Sequence, residues 1–102
     1  MAKRELLKII KSYLRVLTKE GYDIKEAYLF GSYAKKTENK DSDIDIAVVL
    51  GSIEDYFDTL VELMKLRHKV NINIEPHPIS ANDFINHPLF SEIKKYGVKI
   101  SF

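Results

Sequence analysis

Three aspartates crowd the approach to an apolar run: Asp41, Asp43 and Asp45 fall within five residues, just ahead of Ile46–Leu50. On a strand, side chains two apart share a face. Asp43 and Asp45 therefore project together, roughly 6–7 Å apart along the chain at ~3.3 Å per residue, while Ile44 and Ile46 turn to the opposite face. Two carboxylates so placed repel each other, and one tends to take up a proton unless positive charge offsets the cost. A divalent cation supplies that charge. Hard oxygen donors in this number suit Mg²⁺ or Mn²⁺, which keep several waters and take phosphate oxygens as further ligands. The pair thus reads as a cation clamp for a nucleoside triphosphate. The spacing is also compatible with two solvated side chains at an exposed strand end, although Asp is depleted within strands.

A second feature lies about a dozen residues upstream. Gly31-Ser32 follows directly on the apolar stretch "EAYLF" (26–30). Glycine permits a tight turn and close approach of backbone amides to a ligand, and consecutive amides after such a turn form an anion-binding nest, to which a serine hydroxyl adds a donor. Lys35, Lys36 and Lys40 bring positive charge nearby. An anion cradle and a cation clamp joined by one polar loop make a plausible metal–triphosphate site, whereas Gly-Ser alone is more often an ordinary turn.

These residues need a scaffold, and hydrophobic periodicity outlines it. Leu6, Leu7, Ile9, Ile10, Tyr13, Leu14, Val16 and Leu17 recur at i, i+3, i+4 and i+7, which predicts an amphipathic helix over 3–19, with Gly21 beyond its end. Strands are expected at 26–30, 43–50 and 70–75 ("VNINIE"). Pro76 and Pro78 are expected to end the third, because neither can donate to a ladder. Ser52 with Asp55 resembles a capping box for a helix over 53–69, whose inward face would be Phe57, Leu60, Val61, Met64 and Leu66. A short helix at 81–86, a last helix over 88–96 led by Pro88 and ended by Gly97, and a short strand in "VKIS" complete the outline. Helices alternating with strands imply an α/β (α+β) fold, a small mixed sheet covered by helices.

The 102 residues make a single domain (1–102), with no room for a second core. Sixteen Lys+Arg against fifteen Asp+Glu leave a net charge of +1, which argues against a general nucleic-acid coat and makes nucleic acid an unexpected partner. There is no cysteine, so disulfides and thiolate metal sites are excluded. No apolar run is long enough to span a bilayer and no signal peptide is read at the start, so no membrane association is expected and the cytoplasm is the expected location.

The stretch "FGSYAKKTENKDSDIDIAVV" resembles the signature of the nucleotidyltransferase superfamily with the polymerase β-like fold, in which G-S-x-A-x-G is followed, after a spacer, by S-D-x-D. More closely, the chain is similar to minimal nucleotidyltransferase domains of bacteria and archaea, and "EPHPIS…DFINHPLFSEIKKYGVKI" is a weaker match to their tails. The resemblance implies that Gly31 and Ser32 hold the triphosphate, that Lys35 reaches phosphate, that Ser42 shapes the turn into the strand, and that Asp43 and Asp45 bind Mg²⁺ (or Mn²⁺). It implies transfer of a nucleoside monophosphate, AMP from ATP being the expected case, to an acceptor hydroxyl. It also implies a partner: such domains are often coupled to a helical HEPN-type protein as antitoxin and toxin. A homodimer is the other way to complete an acceptor cleft that so small a chain does not supply.

Two positions depart from the pattern. Lys36 stands where the family has glycine, and a lysine is strained there if the backbone needs φ > 0. The third carboxylate of active members falls in "VNINIE", where Glu75 is the only acid and Asn71 the rival position. With Glu75 the catalytic and metal-binding set is Asp43, Asp45 and Glu75. With Asn71 the set is incomplete, and the chain reads instead as a catalytically weak or inactive antitoxin or binding subunit. Of the histidines, His68 reads as a helix-end cation, His77 as an exposed loop residue between prolines and His87 as a helix-entry residue. Tyr13, Tyr28, Phe30, Phe57, Phe84 and Phe90 are expected in the core, and Tyr22, Tyr33, Tyr56 and Phe102 are candidate interface residues.

Overall fold

The computed structural model describes residues 1–102. Its elements run α1 (Lys3–Lys19), β1 (Ile24–Phe30), α2 (Ser32–Lys35), β2 (Ile44–Leu50), α3 (Tyr56–Leu66), β3 (Ile74–Ser80), α4 (Phe90–Tyr96) and β4 (Val98–Lys99), with 3-10 turns at Arg67–Lys69 and Ala81–Asp83. The strands form one mixed sheet in the order β3-β2-β1-β4. β1 pairs antiparallel with β2 and with β4, and β2 pairs parallel with β3. The α/β architecture expected from the alternation of helices and strands is the one observed. No helix is long and apolar enough to cross a membrane.

Strand alternation gives the sheet two different faces. On one, Ala27, Leu29, Ile44, Ile46, Val48, Leu50 and Ile74 meet Leu6, Ile10, Tyr13, Leu14 and Leu17 of α1 and Leu63 and Leu66 of α3 in the main core. The apolar stripe of α1 is the one its periodicity predicts. Tyr13 is fully buried, and its hydroxyl satisfies itself by donating to the Leu63 carbonyl at 2.7 Å, tying α1 to α3. Burial pushes that phenol's pKa up. The other face carries a smaller cluster of Tyr28, Phe30, Ala47, Val49, Ile79, Phe84 and Ile93, closed over by the segment from Ala81 through α4.

The third strand departs from expectation. It spans 74–80 rather than 70–75, and Pro76 and Pro78 lie inside it. The reason is position. β3 is an edge strand with β2 on one side only, and the Ile44 amide donates to Asn73 O at 2.8 Å, so the odd-numbered residues direct their peptide groups toward β2. Both prolines then place their donor-less nitrogens on the rim, where no ladder bond is lost. The rim carbonyl of Ile74 is met by Arg67, whose guanidinium donates to it at 3.0 Å. Asn71 sits ahead of the strand in a turn, its side-chain oxygen accepting the Asn73 amide.

The helix expected at 53–69 is shorter. Asp55, not Ser52, caps it: its carboxylate accepts the Asp58 amide at 2.9 Å. With the start moved to Tyr56, Leu63 and Leu66 face the core and Phe57 turns outward, 70% exposed. Phe57 is therefore not a core residue.

Candidate active site

The site is assembled at the end of the sheet where β1 stops and β2 and β3 begin. Pairing sets its geometry. Phe30 is opposite Asp45 on β2, and Asp45 is opposite Glu75 on β3. Phe30, Asp45 and Glu75 therefore form one row across three strands, on the face away from α1. The next row inward holds Tyr28, Ala47 and His77. Asp43 stands exposed just before β2, two residues from Asp45 and on the same face. Donor atoms of Asp45, Glu75 and His77 lie within 4.8 Å of one another.

This crowding has an electrostatic cost. The Glu75 pKa is raised, first by partial burial, then by the hydrogen bond with Asp43 and by the negative charge of Asp45, with His77 pulling the other way. Two half-buried carboxylates, Asp45 and Glu75, with the exposed Asp43 two residues from Asp45, offer the hard oxygen donors that Mg²⁺ or Mn²⁺ takes. The residues fit a divalent ion: Asp45 and Glu75 bring donor atoms together beside His77, and Asp43 is the neighbouring acid.

Gly31 links this acidic row to the turn after β1. It is left-handed, with φ 75°. A Cβ there would lie 3.1 Å from Asp45 Cγ and closer still to Oδ2. Glycine is required twice over, by backbone conformation and by the space that the Asp45 carboxylate occupies. Ser32 begins the single turn α2, whose first amides have no partner within so short a helix. Lys36 closes that turn in the left-handed conformation at φ 61°. The backbone at this position thus has the φ > 0 for which a glycine would be the natural residue.

The other sequence-derived candidates are placed as follows. Ser42 shapes the loop, its hydroxyl accepting the Asn39 amide at 3.0 Å. Asp41 is exposed in the same loop, its amide donating to the Asn39 side chain. Lys35 is directed to α4, with its ammonium 3.7 Å from Glu92 and over the Tyr96 ring, and it makes no ion pair with the acidic row. Asn71, the rival for the third acid, lies outside the sheet, whereas Glu75 is in register with Asp45.

His77 is the residue that sequence reasoning passed over. It is half-buried, with Nε2 3.1 Å from Asp45 Oδ1 and its ring edge-to-face with Phe30 at 4.9 Å. Its spacing of two from Glu75 was the available signal, hidden by the assumption that prolines on either side mark a loop. The largest hollow, about 650 Å³, runs between Lys3, Arg4, Leu7, Lys8, Lys11 and Arg15 on the outer side of α1. It lies across the sheet from the acids and has no part in this site.

Residues 8–98 match the family described as "Polymerase beta, Nucleotidyltransferase". The chain belongs to that family and is a nucleotidyltransferase. Two candidate protein adenylyltransferases of Methanocaldococcus jannaschii are similar to it. MJ0141 is 27% identical over 101 residues, which cover 94% of this chain and 96% of that protein. MJ1217 is 30% identical over 86 residues, covering 80% and 81%. Among solved structures, a candidate nucleotidyltransferase from Sulfolobus solfataricus aligns with a TM-score of 0.70 at 22% identity, over 93% of this chain and 78% of that one. A toxin–antitoxin crystal structure with AMP-PNP aligns at 0.66 and 21% identity, over 93% and 72%. At these identities the structural matches speak for the fold.

Proposed function

We propose that this chain transfers AMP from ATP, in a Mg²⁺-dependent reaction, to a hydroxyl group on a partner protein. The observation that carries this reading is the row formed by Asp45 and Glu75, with Asp43 just ahead of it and the Gly31 turn pressed against Asp45. Bound divalent ions would polarise the reacting phosphate and acceptor oxygens and spread the charge of the leaving group. The chain's own contribution is positioning and electrostatics. Gly31 and the first amides of α2 face the triphosphate, and Asp43 and Asp45 fix the depth at which it sits. The acceptor oxygen bonds to the α-phosphorus as the bond from that phosphorus to pyrophosphate breaks. The acceptor's proton passes to Glu75, the acid in register with Asp45.

The two M. jannaschii relatives, by name, modify proteins, which supports a protein as acceptor. The toxin–antitoxin neighbours support a dedicated partner, of the HEPN type that the sequence resemblance implies, in preference to a homodimer. A non-catalytic binding role draws on Asn71 and Lys36. Glu75 supplies an acid in register with Asp45, and Lys36 keeps the left-handed turn, so neither residue weighs for it strongly.

The test is incubation with ATP labelled at the α-phosphate and Mg²⁺, with and without the protein encoded next door. Label should move to that protein, label at the γ-phosphate should not, and Asp43→Ala or Asp45→Ala should abolish transfer. A stable complex with no transfer of label would establish the binding role instead.

A further inference from the structure

We propose that His77 is a positioning residue for Asp45, holding that carboxylate in the orientation in which it ligates the divalent ion. The inference rests on the metal-dependent reading above and extends it to a residue that no signature assigns. A carboxylate only accepts, so the contact at 3.1 Å has the His77 Nε2–H donating to Asp45 Oδ1. The other oxygen, Oδ2, lies against Gly31, at the place a Cβ would fill. Both oxygens of Asp45 are therefore fixed, one by a hydrogen bond and one by close packing. The imidazole is itself held edge-to-face on Phe30, which is nearly fully buried and sits in the same row as Asp45.

Register separates a positioning role from direct ligation. Glu75 pairs with Asp45, whereas His77 pairs with Ala47, one row deeper in the sheet. Asp43 lies farther out than Asp45, before the start of β2. His77 meets Asp45 from the inner side, and its Nε2, although within 4.8 Å of donor atoms of Asp45 and Glu75, is spent on the Asp45 carboxylate. Partners that orient ligating groups in this way are worth about 10–100-fold in metal affinity or activity.

Mn²⁺ serves as the probe, with free ion followed by electron paramagnetic resonance in the presence of a non-hydrolysable ATP analogue. His77→Ala and His77→Phe should weaken Mn²⁺ binding by about 10–100-fold. His77→Phe keeps an aromatic ring against Phe30, so an equal loss in both variants assigns the effect to the lost donor. His77→Gln restores an N–H donor and should recover most of the affinity. Circular dichroism melts check that each variant is folded. Pulsed spectra of the wild type should show no directly coordinated nitrogen. Unchanged affinity in folded His77→Ala and His77→Phe would overturn the inference and leave the metal reading intact. A coordinated-nitrogen signal that His77→Gln removes, together with lost affinity, would overturn it in favour of ligation. Failure of the wild type to bind Mn²⁺ at all would overturn both.

Discussion

The two faces of the sheet are built from alternate residues of the same strands, yet they do different work. Under α1 and α3, every residue of the cluster is apolar except for the Tyr13 hydroxyl, which has its partner. On the other face an apolar half under α4 gives way, within one row, to Asp45 and Glu75. Asp45 stands directly between the fully buried Ile44 and Ile46 on β2. Stability is therefore concentrated on one face and chemistry on the other. A strand's period of two is what lets a chain of this length have both.

That division can be broken from either side. The largest effect should come from crossing it by mutation. Asp45→Asn should reduce transfer by on the order of 10²–10³-fold or more while leaving the urea midpoint at or above the wild-type value, because it removes a repelling charge. Leu14→Ala, behind the same sheet, should cost about 2–5 kcal/mol in urea unfolding, with transfer retained by the fraction that remains folded. Next in size is Gly31→Ala, the one position where a methyl group meets the acidic row directly. It should cost about 1–3 kcal/mol from the backbone alone, whose φ 75° and ψ −152° fall in an essentially glycine-only region, and it should also reduce Mn²⁺ affinity by displacing Asp45. A loss of stability with metal affinity unchanged would show that the two features are uncoupled.

Lys36→Gly works in the opposite direction. It relieves the only non-glycine residue with positive φ and should stabilise the fold by roughly 0.5–1 kcal/mol, the left-handed cost less the entropy of a glycine. Calorimetric melts measure it, and a fall in stability would mean that the lysine side chain contributes more than its backbone strain removes. The smallest effect is the pH dependence of the acidic face. The Glu75 pKa is higher folded than unfolded, so the folded state binds the proton more tightly. This contribution to stability is present in full below the ordinary glutamate range and is lost as pH rises through the raised value. In chelator, the wild type should therefore lose stability relative to Glu75→Gln over that interval, and Mg²⁺ should flatten the difference. Parallel curves for the two proteins would deny the crowding its energetic weight.

Sequence and structure agree where a single physical rule governs. The helix over 3–19 is observed with those bounds because its apolar stripe is long and regular and nothing competes with it. The turn expected at Gly31-Ser32 runs on as a helical turn at Ser32–Lys35, and Lys36 has the positive φ that made a lysine there questionable. Disagreement appears where two rules conflict. Proline as a strand terminator gave way to edge placement, so β3 runs on through Pro76 and Pro78. Asp55 displaced Ser52 as the helix cap, which turned Phe57 out of the core. His77 was lost through the first of these conflicts: without the strand there was no face on which to place it beside Glu75.

The two prolines of β3 carry one more consequence. Aggregation and fibril growth commonly begin when a foreign strand zips onto an open sheet margin. The margin nearest the acids has no amide hydrogen to offer at two alternate positions, and Arg67 occupies the carbonyl at Ile74. Sheet extension is blocked there by covalent chemistry, so an acceptor brought to this end can come close without being stitched on as a fifth strand.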